Sequence, residues 1–291
     1  MNSAAQPTAI PNRLWLGRVT VVQNEPLARD TYRVRFDCPE IARRIAPGQF
    51  IMLRLPDTYD PLLGRPLALY DTVLDAAGRP RGLDIVYLVV GKLTRLLAHC
   101  PPGAELEIWG PLGNGFPAAP AEHLVMVAGG IGQTPFMALG REFLGQRIYG
   151  DPPRNLAAPA ARVTLLYGAR SGDYLAAVDD FRGLGVEVET STDDGSAGHH
   201  GLVTELLEAL LDRSPAGCRV VCCGPEPMME KVADLTERHG VDCQLSLETP
   251  MACGVGICFS CVTRVRDEAG GWDYRRTCVE GPVFDARQLV F

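Results

Sequence analysis

Cys253, Cys258, Cys261 and Cys278 are the residues whose type and spacing speak most directly of chemistry. Four residues separate the first pair, two the second, and sixteen stand between Cys261 and Cys278. That is the plant-type spacing of thiolates around a [2Fe-2S] cluster, whose tight ligand loop wraps one iron and turns its amides toward the sulfides. Gly254 and Gly256 give such a loop its positive φ angles and close backbone approach. Met251, Val255, Ile257 and Phe259 alternate through the same stretch and are expected to cover the cluster from water. Other uses of cysteine fit less well. Structural zinc is usually held by two Cys-x2-Cys knuckles, and only Cys258 and Cys261 form one. Disulfides suit a secreted chain, and residues 1–11 show no charged segment followed by an apolar one, so no signal peptide is read there. Inert core thiols have no reason to crowd a glycine-rich loop.

Weaker chemical signals lie upstream. In Gly64-Arg65-Pro66-Leu67-Ala68-Leu69-Tyr70 a guanidinium opens a strand, offering a planar fork of donors to a pyrophosphate, and Tyr70 could stack on a flat heterocycle. A solvated charge at the sheet rim is the commoner explanation of an arginine in Arg65's position. The run from Tyr87 through Gly91 to Thr94 leads a strand into a short helix whose free amides could face an anion, or which is simply a capped surface helix. Residues 129–135, Gly-Gly-Ile-Gly-Gln-Thr-Pro, form a tight strand-to-helix turn with Pro135 preset for the first helical position. It is not the Rossmann Gly-x-Gly-x-x-Gly, so alone it marks a phosphate site no better than a structural turn. His199 and His200 lack a third ligand beyond loop aspartates and read as solvated.

These residues must be positioned by two kinds of element. Short β-rich runs at 15–22, 31–36, 50–55, 65–70, 83–90 and 105–109, separated by Pro and Gly turns, predict an antiparallel barrel. From residue 121 the rhythm changes. Apolar strands at 124–128, 162–167, 186–190 and 219–223 alternate with helical patterns at 136–146, 174–182, 203–213 and 227–239, which predicts a parallel sheet wrapped on both faces. Residues 149–161, rich in proline and alanine, read as a surface insertion. In such a sheet ligands sit beyond the carboxyl ends of the strands, where residues 129–135 and the turn at Cys223-Gly224-Pro225 both fall. The chain is therefore expected to be multidomain: an antiparallel β-barrel at 1–118, an α/β domain at 119–243 and a small C-terminal [2Fe-2S] domain at 244–291.

A chain of 291 residues with 46% hydrophobic content can bury more than one core. Its net charge of -7 and lack of basic runs argue against a nucleic-acid surface. No stretch approaches the roughly 18 apolar residues of a membrane helix. Ten cysteines without a secretion signal point to a reducing, cytoplasmic setting.

In their order the motifs resemble the electron-transfer subunit of NAD-dependent (type B) dihydroorotate dehydrogenase, within the ferredoxin reductase superfamily, over nearly the whole chain from about Trp15. By that resemblance Arg65, Pro66, Leu67 and Ala68 match an Arg-Pro-x-Ser element that binds FAD. Val86, Tyr87 and Leu88 match the following strand, and Leu93 and Thr94 match a Gly-Thr pair at the flavin pyrophosphate. The phrase 110–116 matches the loop that closes the barrel. Gly129, Gly130, Gly132 and Pro135 correspond to the nicotinamide phosphate turn, and Cys223, Gly224 and Pro225 to the strand end facing the reacting rings. The four cysteines align with the cluster ligands, and Gly281-Pro282-Val283-Phe284 repeats a closing phrase. Ala68 replaces a hydroxyl residue and Leu93 a glycine.

The resemblance implies an oxidoreductase subunit for pyrimidine biosynthesis. Electrons from dihydroorotate, oxidised at an FMN-containing partner in a heterotetramer, would cross the cluster and FAD to NAD. No residue of this chain need act as a general base, and Cys223 is expected beside the nicotinamide. Two other functions stay open at this point: a ferredoxin:NADP oxidoreductase or hydrogenase-type complex, and a flavin and cluster redox sensor. Arg170 could attract a 2'-phosphate or merely solvate a loop, so NAD against NADP stays open as well.

Overall fold

A computed structural model describes residues 14–213, 216–268 and 270–291. Residues 1–13, expected within the barrel unit, lie outside the described residues.

The apolar alternation of the first third does build an antiparallel, barrel-like sheet. Its seven strands run in the order Arg65–Ala68, Phe50–Arg54, Glu105–Leu112, Trp15–Ala28, Thr31–Asp37, Pro80–Leu88, Asp71–Leu74. The two edge strands are consecutive in sequence, and the residues between them close the ring: the Leu69 amide donates to Gln49 O at 3.0 Å and the Tyr70 amide to Asp84 O at 3.1 Å. Val34, Phe36, Ile51, Leu53, Leu83 and Ile85 are all fully buried inside. Each such side chain stabilises the barrel by about 1.5–3 kcal/mol.

Two barrel features depart from the sequence expectation. The first strand runs on to Ala28 through the polar stretch Gln23-Asn24-Glu25 because long-range bonds hold it. Asn24 Nδ2 donates to Leu97 O at 2.8 Å, the Tyr87 hydroxyl donates to Asn24 Oδ1, and Glu25 pairs with Arg33. The additional edge strand Asp71–Leu74 follows from Asp71, whose buried carboxylate is claimed by the neighbouring unit.

The second sheet has the order His199–His200, Glu187–Thr192, Arg162–Ala169, His123–Gly129, Cys218–Cys223, Asp242–Ser246, Val283–Asp285. All neighbours are parallel except the last pair. Helices Phe136–Phe143, Val178–Gly183, Val203–Arg213 and Glu226–His239 accompany it, and separate apolar cores line its two faces. The helix expected from residue 174 starts only at Val178, since Ala177 adopts φ +57, a left-handed conformation that no helix can run through. Strand Asp242–Ser246 straddles residue 243, and Val283–Asp285 returns from the chain end to pair with it. Between these two strands lie the cysteine loop and the exposed hairpin Val262–Arg266 with Trp272–Arg276.

Residues 149–161, read as a surface insertion, are anchored. Tyr149 is 3% exposed and donates to Asp71 Oδ1 at 2.7 Å, while Arg154 forks onto Glu142. Among the described residues no helix is long and apolar enough to cross a membrane.

Candidate redox centre

The cysteine loop lies directly on the barrel. Gly254 has φ +72, and a Cβ there would stand 2.6 Å from Met52 Cγ and 3.1 Å from Leu112 Cδ1, so only glycine allows this contact. Phe50, Met52, Leu112 and Met251 form an apolar bed around the buried thiols of Cys261 and Cys278, whose sulfurs are 3.2 Å apart. Cys253 is half-buried, with the Val255 amide donating to its Sγ at 3.4 Å. Cys258 is exposed, its Sγ 3.1 Å from Ser260 Oγ. Hydrogen bonds from Ser260 lower the Cys258 thiol to about 6, and the bond with Cys278 lowers Cys261 to about 6 while raising Cys278. Sharing one proton in this way favours the thiolate at Cys261, the form that binds metal. Among the described residues no three His, Cys, Asp or Glu side chains gather around a single ion.

The expected shielding is only half present. Met251 is buried and Val255 half-buried, but Ile257 and Phe259 are 70% and 62% exposed. Phe259 has φ +55, which turns its ring outward beneath the Arg276 guanidinium, 5.2 Å away.

Arg65 is exposed at the start of its strand. Its Nη1 donates to Leu63 O and Gly64 O at 3.0 Å each, and among the described residues no carboxylate pairs with it. Pro66, Leu67 and Ala68 follow half-buried, opposite Met52, Ile51 and Phe50. Val86 and Tyr87 are buried, Val86 against the sheet domain's core and Tyr87 inside the barrel, stacked on Tyr32 at 5.9 Å. Of this strand's matched residues only Leu88 keeps a partly open side chain. Leu93 is buried in the barrel core with Leu97, which explains how leucine is accommodated where a glycine was expected. The Thr94 hydroxyl accepts from the Val90 and Gly91 amides at 3.1 and 3.0 Å, so it caps the helix Lys92–Ala98. The first-turn amides beyond it have no intrahelical acceptor.

The nicotinamide-type turn is built by backbone contact. A Cβ on Gly132 would stand 2.1 Å from Cys223 O, and one on Gly224 would stand 3.0 Å from Gly129 N. Pro225 Cδ lies 2.8 Å from where Gly129 would carry its Cβ. The carboxyl ends of two neighbouring parallel strands thus meet, with Gly130 at φ +55 and Pro135 leading into Phe136–Phe143. Burial, with Glu248 adding to it, pushes the Cys223 thiol up to about 12, so it stays protonated and offers no nucleophile at neutral pH. Gln133 was not singled out from the sequence. It is fully buried, and neither its Oε1 nor its Nε2 has a hydrogen-bond partner among the described residues. An orphaned buried carboxamide costs about 1–3 kcal/mol, and a bound nucleotide with a free donor and acceptor would satisfy it. Its only signal in the sequence was a long polar side chain in an otherwise small and apolar turn.

Tyr70, read as a stacking platform, has another role. It is 2% exposed, edge-on to Phe181 at 6.4 Å, and donates to Asp180 Oδ2 at 3.0 Å. Beside it Asp71 takes Arg141 Nε at 2.9 Å, Arg147 Nη1 at 3.0 Å and the Tyr149 hydroxyl. These contacts join barrel to sheet. The phrases 110–116 and 281–284 also meet: Asn114 Nδ2 donates to Val283 O at 2.7 Å, and a Cβ on Gly113 would collide with Pro282. The paired histidines are exposed, with His199 bonded to Glu205 at 2.6 Å.

Comparison with known proteins agrees with this geometry. Three family models match in order: an oxidoreductase FAD-binding domain at residues 18–116, an oxidoreductase NAD-binding domain at 126–234, and the iron-sulfur cluster binding domain of dihydroorotate dehydrogenase B at 248–290. A dihydroorotate dehydrogenase B (NAD(+)) electron transfer subunit from Desulforamulus reducens is 36% identical over 267 residues, covering 91% of this chain and 94% of the relative. The chain belongs to this family. The subunit of that name from Geobacillus kaustophilus is 34% identical, covering 94% and 98%. Membership makes the chain an oxidoreductase with FAD-, NAD- and iron-sulfur-cluster-binding domains, and the last of these, residues 248–290, contains Cys253, Cys258, Cys261 and Cys278. Among solved structures, an NADH-dependent reduced ferredoxin-NADP oxidoreductase aligns with a TM-score of 0.74 and 26% identity, over 94% of this chain and 89% of its own. Phthalate dioxygenase reductase shares the fold, with a TM-score of 0.59 and 17% identity over 93% and 97%.

Proposed function

We propose that this chain is the subunit that carries electrons from dihydroorotate, oxidised at an FMN-containing partner, to NAD in pyrimidine biosynthesis, within a cytoplasmic heterotetramer. A bound flavin supplies the exchange between the two-electron nicotinamide and the one-electron cluster. The chain's residues place and insulate. Arg65 meets pyrophosphate with a guanidinium that no carboxylate among the described residues neutralises, while the main chain of Pro66, Leu67 and Ala68 and of Val86, Tyr87 and Leu88 lines the flavin site. Leu93 and Thr94 shape the helix start, and Gly129, Gly130, Gly132, Pro135, Gly224 and Pro225 leave room for the nicotinamide nucleotide, with Cys223 a neutral wall. The observation that carries this reading is the seating of the cysteine loop on the flavin barrel through Gly254 and Met52. A second reading, a subunit of a ferredoxin:NADP oxidoreductase complex, is favoured by the overall likeness to the bifurcating enzyme.

The deciding experiment is anaerobic isolation of the complex from its host through a tag on this chain, followed by dihydroorotate-dependent reduction of NAD. Activity with a copurifying FMN protein is expected. Intact flavin and cluster without that activity would move the assignment to the second reading.

A further inference from the structure

Trp109 lies against Gly64, the residue before Arg65, and bonds to the loop that begins at Cys253. It lies on strand Glu105–Leu112, half-buried, against the apolar bed of Cys261 and Cys278. Its indole Nε1 donates to Cys253 O at 3.0 Å. At the far edge of the ring, a Cβ on Gly64 would stand 2.7 Å from Trp109 Cη2 and 3.1 Å from Leu53 O. Residue 64 therefore has to be glycine while the indole keeps its place. One rigid side chain spans the distance from the neighbour of Arg65 to the carbonyl of the first cysteine ligand.

A tryptophan that only filled space would need neither contact. Its N–H could meet water at the rim, and residue 64 could carry a methyl group. Here the polar end is spent on the ligand loop and the apolar end on the flavin segment, a division of labour suited to an aromatic ring with one donor. Electron tunnelling falls steeply with separation and with unfilled gaps, so a loop free to shift would change the rate at every excursion.

We propose that Trp109 is a positioning residue for electron exchange between flavin and cluster: it holds the Cys253 loop at a fixed distance from the Arg65 segment and keeps water out of the space between. In that exchange one electron leaves one centre and one arrives at the other, and Trp109 neither gains nor loses any. The inference rests on the proposed function, in that FAD lies along the Arg65 segment and the cluster on the four cysteines.

The test uses the holo chain purified anaerobically, with Trp109→Phe, Trp109→Leu and Gly64→Ala. Flavin absorbance and iron and sulfide content give the loading. The reduced-cluster EPR spectrum and the ratio of cluster reduction to flavin reduction after mixing with NADH, each per loaded centre, give the readout. Trp109→Phe keeps a ring but loses the donor, and the ratio is expected to fall about five-fold, the worth of one hydrogen bond. Trp109→Leu is expected to fall further and to broaden the EPR signal. Gly64→Ala, which presses on the indole from its other edge, is expected to move both readouts the same way. A purely structural tryptophan would lower loading and melting temperature yet leave the ratio and the EPR signal per loaded centre unchanged, and that result overturns the inference alone. A wild-type chain that carries no flavin or no iron overturns the functional reading and the inference with it.

Discussion

The cysteine loop and the barrel–sheet joint solve opposite problems. The loop stands near the surface, with Cys258 exposed and Ile257 and Phe259 turned to solvent, because covalent ligation by thiolates tolerates water nearby. The joint is closed: Tyr70 and Asp71 are buried, as is Gln133 in the adjoining strand-to-helix turn of the sheet domain, and the joint's charges are matched across segments far apart in sequence. A centre held by bonds to side chains can be encoded in one short stretch. A site formed by backbone and by orphaned polar atoms exists only once distant segments have met.

The largest expected effect lies on the loop side. Cys278→Ser replaces a buried thiol of the proposed cluster site and should abolish transfer to the redox partner, exceeding the roughly 100-fold loss seen when a mere outer partner of a metal ligand is changed. Bleaching of the flavin by NADH should persist, and stopped-flow absorbance separates the two. If bleaching also failed, the two regions would not be separable as drawn. On the joint side, Asp71→Ala strands the Arg141 and Arg147 guanidinium groups and the Tyr149 hydroxyl. A cost of about 3–5 kcal/mol is expected, read from urea unfolding, with the cluster's EPR signal unchanged in folded protein.

How far each region could be read in advance follows from the same contrast. The cysteine spacing, Gly254 and Gly256 pointed to an iron-sulfur loop because such a loop is local, and an iron-sulfur cluster binding domain matches residues 248–290. The alternation of the barrel strands and the strand–helix rhythm of the sheet were equally plain. Tyr70 was misread, since an aromatic residue five places after an arginine carries no sign that Asp180 will meet it. Gln133 was passed over because its significance lies in partners it lacks, which no pattern displays. Strand Val283–Asp285 was hidden by brevity: three residues show no period, and only Asp242–Ser246 beside them makes a strand. Phe259 was expected inward on alternation alone, and its positive φ reversed it.

Gln133→Leu sharpens the comparison because its sign should depend on nucleotide. Without ligand, removal of an unpartnered carboxamide should raise stability by about 1–2 kcal/mol. With saturating NAD the stabilisation by ligand should shrink, as thermal melts with and without NAD would reveal. The smallest effect is expected at His239, the last residue of helix Glu226–His239. Bonds to Leu235 O and Asp212 raise its pKa above the ordinary 6.5. Its contribution is therefore fully present below 6.5 and is lost as pH rises through the raised folded-state value. His239→Gln should flatten that part of the stability–pH curve, with no change in flavin or cluster spectra.

The return of Val283–Asp285 to the sheet has a kinetic consequence. A redox module tethered at one end can swing between donor and acceptor, and its turnover then slows in viscous solvent. Here the segment carrying all four of these cysteines is clamped at both ends by strands paired to one another, and Asn114 fastens that clamp to the barrel. Such a lobe cannot shuttle. Internal electron flow should be indifferent to added glycerol or sucrose, leaving the diffusional arrival of NAD and substrate as what a thicker medium retards.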